Sequence, residues 1–227
     1  MSNLAIIPAR GGSKRIPKKN IKEFLGKPII AYSIQVALQS ELFEEVMVST
    51  DDDEIADISK KYGATVPFLR SKENSDDYAT LADVIKEVID YYTQKNLKFD
   101  YGCCILPTSP LIKATRLIEG FDLLKKKNFD SVKPIVKFSY PIQRALKFKN
   151  NAVEMIDPKF KRTRSQDLQP AYHDAGQFYW FKFKVGLNTT KKGAIIIPEI
   201  ESQDIDTPDD WKTAEFKYKY LTGKEFE

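Results

Sequence analysis

The 227-residue sequence predicts an α/β protein with a mostly parallel β-sheet flanked by helices. In its first half, short apolar segments alternate with segments whose apolar residues recur at helical spacing, which is the pattern of repeated βαβ units. The run YGCCIL at 101–106 is almost wholly apolar, as expected for a central parallel strand buried on both faces. The length suits one sizeable core, and we therefore expect a single domain over residues 1–227.

The elements of the first half follow from these patterns in chain order. A first strand at 4–9 leads through a glycine-containing loop to a helix at 29–40 that begins after Pro28. A helix from Thr80 to about Gln94 has apolar residues at helical spacing and Ser and Asp residues just upstream, where a helix start favours them. The other predicted elements are a strand at 44–50, a helix at 53–63 closed by Gly63, a short strand at 65–69 and a helix at 115–127.

The second half departs from this alternation. After a segment at 131–136, residues 138–180 contain three prolines, several aromatic residues and short alternating runs, without a convincing long helix. We expect a β-rich excursion there, which forms either a lid or a dimerisation arm. The chain returns through strands at 177–183 and 194–200 and ends in a helix at 207–221, with Thr207 as its N-cap and Pro208 at its first position.

The composition argues against several classes of protein. The formal charge of +4 comes from 36 basic and 32 acidic residues, so the surface is mixed and lacks the basic stripe of a typical nucleic-acid-binding protein. No apolar run approaches the length of a bilayer span and the N-terminus lacks a signal peptide, so we expect a soluble, cytoplasmic protein. The adjacent Cys103 and Cys104 point to opposite faces of their strand, and we expect two reduced, buried thiols.

The loop after the first strand, in the segment IIPARGGSKRIPKKN at 6–20, holds five cations: Arg10, Lys14, Arg15, Lys18 and Lys19. Like charges this close repel one another unless an anion lies among them. Gly11 and Gly12 allow close backbone approach and, with the Ser13 hydroxyl, offer hydrogen-bond donors to phosphate oxygens. The loop lacks the P-loop and dinucleotide fingerprints, so a phosphate site and a plain glycine turn with exposed lysines both stay open.

The segment QDIDTPDD at 203–210 carries a second candidate site. If it is extended, Asp204 and Asp206 project from the same side, where their mutual repulsion calls for a shared proton or a hard cation such as Mg²⁺. The alternative is that the aspartates serve the N-terminus of the last helix, which is our interpretation of Asp209 and Asp210. A cationic glycine loop and two carboxylates at one sheet edge suit Mg²⁺-assisted transfer from a nucleoside triphosphate.

The stretch IIPARGGSKRIPKKNIKEFLGKPIIAYSI resembles the signature of the sugar-acid cytidylyltransferases, which make CMP-sialic acid and its relatives. The resemblance continues in order through VSTDDDEIA, VPFLR, PTSPL and QDIDTPDDW, and so spans nearly the whole chain. It implies a Rossmann-like nucleotidyltransferase sheet. It also implies transfer of CMP from CTP to the anomeric C2 hydroxyl of a nine-carbon 2-keto sugar acid, with Mg²⁺ as cofactor and pyrophosphate as the second product.

The same resemblance implies roles for individual residues of the nucleotide site, which we expect at the carboxyl ends of the strands. Arg10, Ser13, Lys19 and Asn20 match positions that hold CTP, with the amides of Gly11 and Gly12 and the amine of Lys14 as further contacts at the phosphates. Arg70 and a hydroxyl near Thr80 would lie beside the base or ribose. Arg10 and Lys19 would thus assist catalysis, and Asp204 and Asp206 would bind Mg²⁺. One of these aspartates, or a metal-bound water, would take the proton of the sugar.

Two features of the sequence predict the identity of the sugar: one residue that differs from the sialic-acid enzymes and one run that is similar to enzymes for another sugar acid. Sialic-acid enzymes commonly have Gln before PTSP, where this chain has Leu106, so we expect a nonulosonic acid other than N-acetylneuraminate. The run TRSQDLQPAYHDAGQFYW at 163–180 most resembles that of family members acting on pseudaminic acid. N-acetylneuraminate, legionaminate and Kdo stay open as alternative sugars, and a nucleotide-binding module without turnover is the non-enzymatic alternative.

The arm at 138–180 supplies the remaining candidates for the sugar site. Among its arginines, Arg164 is our candidate for the sugar carboxylate, because it lies in the recognised TRSQDL run and an arginine can clamp a carboxylate with two hydrogen bonds. Gln177 and Tyr179 are expected on one strand face in the sugar pocket. His173, the single histidine, is either a sugar contact or a structural hydrogen-bonding residue. We expect the arm to join two copies of the chain into a homodimer.

Overall fold

The computed structural model describes residues 1–223, and within them the chain forms eleven β-strands and five α-helices. The strands are β1 Asn3–Pro8, β2 Glu23–Phe24, β3 Lys27–Pro28, β4 Glu45–Ser49, β5 Tyr101–Ile105, β6 Ser131–Lys137, β7 Leu146–Lys149, β8 Ala152–Met155, β9 Tyr172–Asp174, β10 Phe178–Lys182 and β11 Lys192–Ile196. The helices are α1 Ile29–Gln39, α2 Asp53–Lys61, α3 Leu81–Gln94, α4 Ala114–Lys127 and α5 Pro208–Thr222.

The central sheet has the order β11-β6-β10-β5-β1-β4, with β9 pairing along β6. β1 runs parallel to β4 and β5, β11 runs parallel to β6, and β10 runs antiparallel between β5 and β6. These pairings give five of the seven strands one direction, with β9 and β10 opposed to them. The predicted α/β class with a mostly parallel, Rossmann-like sheet is confirmed.

The two faces of the sheet carry separate cores, which explains why the strands are apolar throughout. Along β1, Ala5 and Ile7 pack in a cluster with residues of α1 and α4, whereas Leu4 and Ile6 pack with residues of α3. All four β1 side chains are fully buried, since side chains of a strand alternate between faces and both faces here are covered by helices.

The two cysteines divide between the same two cores. Cys103 belongs to the cluster under α1 and α4, and Cys104 belongs to the cluster under α3. Both are free thiols, and burial raises the pKa of each. The prediction of two reduced, buried cysteines is confirmed.

One predicted element is wrong. Residues 65–69 form no strand and make only two isolated bridges to β4 and its end, from Thr65 to Met47 and from Leu69 to Thr50. Pro67 lies between the two bridges, and proline has no backbone N–H to donate to a continuous ladder. The apolar composition of the segment predicted a strand that its backbone cannot complete.

The segment 138–180 contains the short strands β7, β8 and β9, the start of β10 and three 3-10 helical turns, and little of it joins the central sheet. β7 and β8 form a separate antiparallel hairpin whose residues are mostly exposed. β9 then returns along β6, and the strand that follows, β10, enters the middle of the sheet.

Within residues 1–223, none of the helices is both long enough and apolar enough to cross a membrane.

Candidate active site

The loop after β1 is fixed in shape by acidic residues that follow β4. The Gly11 N–H donates to Asp51 Oδ1 at 3.0 Å. A Cβ atom added to Gly11 would lie 2.7 Å from Asp52 Oδ2, so a larger residue would displace the side chain of Asp52, which caps α2. Asn20 closes the loop by donating from Nδ2 to the carbonyl oxygen of Arg10 at 2.8 Å. The predicted glycine loop is thus a tightly held structure beside the carboxyl ends of the central strands.

Each cation of this loop lies against a carboxylate from elsewhere in the chain, which relieves the repulsion between them. Asp77 and Asp206 each receive two of the cations, and Glu54 receives the fifth. Asp77 pairs with Lys14 and with Arg10, whose Nη1 lies 3.2 Å from Asp77 Oδ1. Asp206 Oδ1 lies 2.7 Å from Arg15 Nη2 and 3.4 Å from Lys19 Nζ. Glu54 Oε2 lies 2.5 Å from Lys18 Nζ. The Lys14 hydrogen bond is the main cause of the lowered pKa of Asp77.

A cleft of about 540 Å³ opens beside the loop, and we call it the basic cleft. Its lining includes five arginine and lysine residues against two aspartates, Asp76 and Asp77. Of the nine residues predicted to bind CTP, all except the two glycines line it: Arg10, Ser13, Lys14, Lys19, Asn20, Arg70 and Thr80. The fold therefore gathers a set that the sequence distributes over residues 10–20 and 70–80.

Arg70 is a buried cation at the wall of the basic cleft. Its Nε donates to Ser49 Oγ at 3.0 Å and its Nη2 donates to the Ser49 carbonyl oxygen. Among residues 1–223 its side chain thus bonds to Ser49 rather than to a carboxylate, and burial lowers the pKa of the guanidinium. A buried charge with neutral partners favours an anion or a carbonyl oxygen of a ligand at its remaining donors.

Thr80 contributes to the basic cleft as the N-cap of α3. Its hydroxyl accepts a hydrogen bond from the Asp83 N–H and donates to Asp83 Oδ2 at 2.6 Å, which completes a capping box. The Thr80 hydroxyl is therefore engaged in holding the helix end. The N-terminus of α3 faces the cleft with the favourable end of its dipole toward an anion.

A second cleft of about 500 Å³, which we call the acidic cleft, lies next to the first. Leu106, at the end of β5, lines both clefts and so marks their junction. The other residues lining the acidic cleft are Val136, His173, Asp174, Ala175, Gly176, Tyr179, Glu199, Ser202, Gln203, Asp204 and Lys217.

The pair Asp204 and Asp206 lies where the two clefts meet. Ile205 between them is buried in a cluster with Ile16 of the cationic loop and Trp211 of α5, which turns the flanking aspartates outward. Asp204 is exposed and lines the acidic cleft, whereas Asp206 contacts Arg15 and Lys19, which line the basic cleft. Lys19 also donates to the Ile205 carbonyl oxygen at 2.7 Å. The cationic loop and the aspartate pair are thus one connected unit.

The donor set of this pair suits Mg²⁺ held jointly with a substrate. Among residues 1–223 there is no group of three or more His, Cys, Asp or Glu side chains arranged to enclose a metal. Mg²⁺ commonly takes only one or two carboxylates from a protein and completes its shell with phosphate oxygens and water. Two carboxylates beside a cationic loop fit that pattern.

Three of the predicted sugar residues come together in the acidic cleft. Leu106, His173 and Tyr179 all line it. The His173 ring lies 4.9 Å from the Phe138 ring between centroids, and its Nδ1 is 2.9 Å from the Asp174 carbonyl oxygen. Tyr179 donates from its hydroxyl to Asp174 Oδ1 at 3.2 Å, and burial, assisted by Asp174, raises the pKa of that hydroxyl.

Two other predicted sugar residues lie outside both clefts. Gln177 is buried, and its side-chain amide donates to the Glu201 carbonyl oxygen. Period-two alternation put Gln177 on the face of Tyr179, but Gln177 precedes β10 and turns inward to bond the segment that carries the aspartate pair. Arg164 lies in the arm, where its Nε donates to Asp167 Oδ2 at 2.7 Å. Within residues 1–223 of one chain, neither Gln177 nor Arg164 lines either cleft.

Several cleft residues were missed by the sequence reasoning. Asp77 was interpreted only as part of a helix start, yet it pairs with Arg10 and Lys14 across the basic cleft. Asp174 and Glu199 line the acidic cleft, and Lys217 reaches it from α5. Lys217 is one of several lysines in a polar helix, so no local signal distinguishes it.

A Rossmann-like sheet with a cationic glycine loop and paired carboxylates beside its strand ends is typical of the nucleotidyltransferase class. The family model described as "Cytidylyltransferase" matches residues 4–221, and the chain belongs to that family. The resemblance seen in the sequence motifs is thereby confirmed, and the protein is an enzyme of the nucleotidyltransferase class.

Individual relatives cover almost the whole chain. It is 44% identical over 225 residues to the pseudaminic acid cytidylyltransferase of Campylobacter jejuni, covering 96% of this chain and 97% of that protein. It is 37% identical over 233 residues to the CMP-N,N'-diacetyllegionaminic acid synthase of Legionella pneumophila, with 95% of each covered. The solved structure of CMP:2-keto-3-deoxy-manno-octonic acid synthetase complexed with CTP superposes with a TM-score of 0.71 at 16% identity over 100% of both chains, which supports the fold alone.

Proposed function

We propose that the protein transfers CMP from CTP to the C2 hydroxyl of pseudaminic acid, giving CMP-pseudaminic acid and pyrophosphate, with Mg²⁺ as cofactor. The observation that carries the proposal is the position of Asp204 and Asp206 at the junction of a basic and an acidic cleft. CTP in the basic cleft and the sugar acid in the acidic cleft would meet at this pair. The choice of sugar is supported by the 44% identity to the Campylobacter jejuni enzyme and by Leu106 at the junction.

The cationic loop binds the triphosphate by an exchange of partners. Arg10, Lys14 and Lys19 leave carboxylates of the chain and take phosphate oxygens instead, so the loop stays compensated with and without nucleotide. Arg70 offers its free donors to the nucleoside end. When bound at Asp204 and Asp206, Mg²⁺ would neutralise phosphate charge during the displacement.

The transfer itself is a displacement at the α-phosphorus. A bond forms between the C2 oxygen of the sugar and the α-phosphorus, and the bond from that phosphorus to the bridging oxygen breaks, releasing pyrophosphate. The hydroxyl proton passes to the carboxylate of Asp204. Asp204 lines the acidic cleft and takes part in none of the ion pairs described for residues 1–223, whereas Asp206 pairs with Arg15 and Lys19, so the oxygens of Asp204 are the ones open to the sugar hydroxyl.

A pyrophosphate-release assay with CTP, Mg²⁺ and a panel of sugar acids tests the proposal. Pseudaminic acid should give the highest kcat/KM, ahead of N-acetylneuraminate, legionaminate and Kdo. Equal values for pseudaminic acid and N-acetylneuraminate would contradict the sugar assignment, and no release with any of the acids would contradict the reaction. Omission of Mg²⁺ with excess chelator should abolish release.

The hairpin β7–β8 also supports a homodimer. Leu146, Phe148 and Val153 on it are between 57% and 71% exposed, although an isolated two-stranded sheet is marginally stable in water. A second copy that packs against this hairpin would cover these apolar side chains, and we propose such a dimer. Phe148→Glu should shift the sedimentation coefficient to that of a monomer, whereas Leu97→Glu, at an exposed site between α3 and β5, should not. An unchanged coefficient for both variants would contradict the arm as the interface.

A further inference from the structure

The carboxylates that line the acidic cleft disfavour the binding of an anionic sugar acid there. Asp174, Glu199 and Asp204 line it, and a sugar carboxylate brought among them meets repulsion. Asp174 is compensated by Lys133, with 2.7 Å from Lys133 Nζ to Asp174 Oδ2, but Lys133 does not line the cleft. Of the described residues that line the cleft, Lys217 alone is a lysine or arginine. A carboxylate in this cleft therefore has one permanent cation within the wall to bind.

The ammonium group of Lys217 uses two of its three N–H donors in hydrogen bonds to the backbone. Its Nζ donates to the carbonyl oxygen of Ser202 at 2.6 Å and to that of Glu199 at 3.2 Å. An ammonium group has three N–H donors, so one remains beside the cleft. Within residues 1–223 these two hydrogen bonds of the ammonium go to carbonyl oxygens rather than to a carboxylate, and partial burial lowers the pKa of Lys217 despite the opposing effect of Glu199.

The position of Lys217 matches the covalent structure of a 2-keto sugar acid. In such a sugar the carboxylate carbon, C1, is bonded directly to C2, which carries the reacting hydroxyl. The group that binds the carboxylate must therefore lie close to the group that handles the hydroxyl. Lys217 donates a hydrogen bond to the carbonyl oxygen of Ser202, which lies two residues before Asp204 in the chain. Both Lys217 and Asp204 line the acidic cleft.

We propose that Lys217 binds the C1 carboxylate of the sugar acid and so orients the C2 hydroxyl toward Asp204. This inference rests on the proposed function. It assigns to α5 a role that the sequence had given to Arg164, which lies in the arm, pairs with Asp167 and lines neither cleft. The binding energy comes from a charge-assisted hydrogen bond in a partly buried site, where one lost partner weakens binding markedly.

The test compares Lys217→Met with wild type in the pyrophosphate-release assay. Methionine keeps the length of the side chain and removes its charge, so the KM for the sugar acid should rise roughly 10- to 100-fold. The KM for CTP should stay within about twofold, because Lys217 lies outside the basic cleft. Lys212→Met, on the same helix and 78% exposed, is the matched control and should leave both constants unchanged.

A substrate analogue separates binding from a structural role of Lys217. With an analogue that carries a C1 carboxamide in place of the carboxylate, Lys217→Met should change the KM little, because the analogue lacks the negative charge that Lys217 binds. Equal losses on acid and carboxamide would overturn the inference, since they would mean that Lys217 only holds the Ser202 segment. Lys217→Arg should keep most of the affinity for the acid, and it provides the comparison if the methionine variant is poorly folded by circular dichroism.

The remaining outcomes distinguish this inference from the proposed function. If the wild type turns over a sugar acid and Lys217→Met has an unchanged KM for it, the inference fails while the function stands. If Arg164→Met instead raises that KM, the carboxylate site belongs to the arm and the inference is overturned. If the wild type turns over none of the acids, both fail together.

Discussion

The basic and acidic clefts adjoin at Leu106, yet they are built in opposite ways. The basic cleft draws most of its cations from one loop, and carboxylates of the chain already compensate them. The acidic cleft collects its lining from β5, β6, the segment around β9 and β10, the 199–204 segment and α5. The cations of the basic cleft thus come mainly from neighbouring residues of the chain, whereas the lining of the acidic cleft is assembled by the fold.

The largest expected effect comes from changes to Asp204, which lines the acidic cleft, and Asp206, which pairs with cations of the basic cleft. Asp204→Asn and Asp206→Asn should each lower kcat at least ~100-fold, equivalent to about 2.7 kcal/mol, because both the metal site and the proton acceptor depend on them. Metal-free binding of CTP, measured by calorimetry, should change far less. Asp209→Asn, in the same segment and 93% exposed, is the control and should retain wild-type kcat. Normal turnover by both variants would remove the aspartates from the mechanism.

A variant confined to the basic cleft should affect one substrate only. Lys19→Met should raise the KM for CTP roughly 10-fold or more through the loss of a charge-assisted bond to phosphate, with the KM for the sugar nearly unchanged. Lys18→Met is the matched control, because the neighbouring Lys18 amine pairs with Glu54 at 2.5 Å and does not line the cleft. Equal effects of the two variants on CTP would mean that only the general charge of the loop matters.

A change at the junction should alter the choice of sugar. Leu106→Gln places an amide where both clefts meet, and we expect the ratio of kcat/KM for N-acetylneuraminate to that for pseudaminic acid to rise by about tenfold. The KM for CTP serves as the internal reference, since a repacking of the β5 end would change it as well. A ratio that does not move would show that the sugar is selected by other residues of the acidic cleft.

The smallest effect tests the compensation within the basic cleft. Asp77 is held as a carboxylate by Lys14 and Arg10, and phosphate oxygens must displace it from both. Asp77→Asn should therefore tighten CTP binding, by about fivefold at most, because exposed ion pairs of this kind contribute little free energy. Calorimetric titration against wild type and against Asp57→Asn on α2 measures it. Weaker binding in Asp77→Asn would mean that Asp77 assists the nucleotide rather than competing with it.

The sequence alone determined the α/β class, most strand and helix positions, and the contacts that depend on neighbours in the chain. The N-cap of α5 is an example: Thr207 forms the predicted cap, with Asp210 completing a capping box. The cationic loop is another, since its glycines, cations and Asn20 lie within residues 10–20 and most of them line one cleft. These features are local, and local composition and spacing were enough to predict them.

The tertiary structure decided what depends on partners distant in the sequence. β10 inserts antiparallel between β5 and β6, and that position brings Tyr179 to the acidic cleft. The bonds that turn Gln177 inward, join Asp77 to the cationic loop and hold Lys217 over the Ser202 segment also join residues far apart in the chain. Strand order and side-chain pairing are set by packing among all the elements at once, and no local pattern records them.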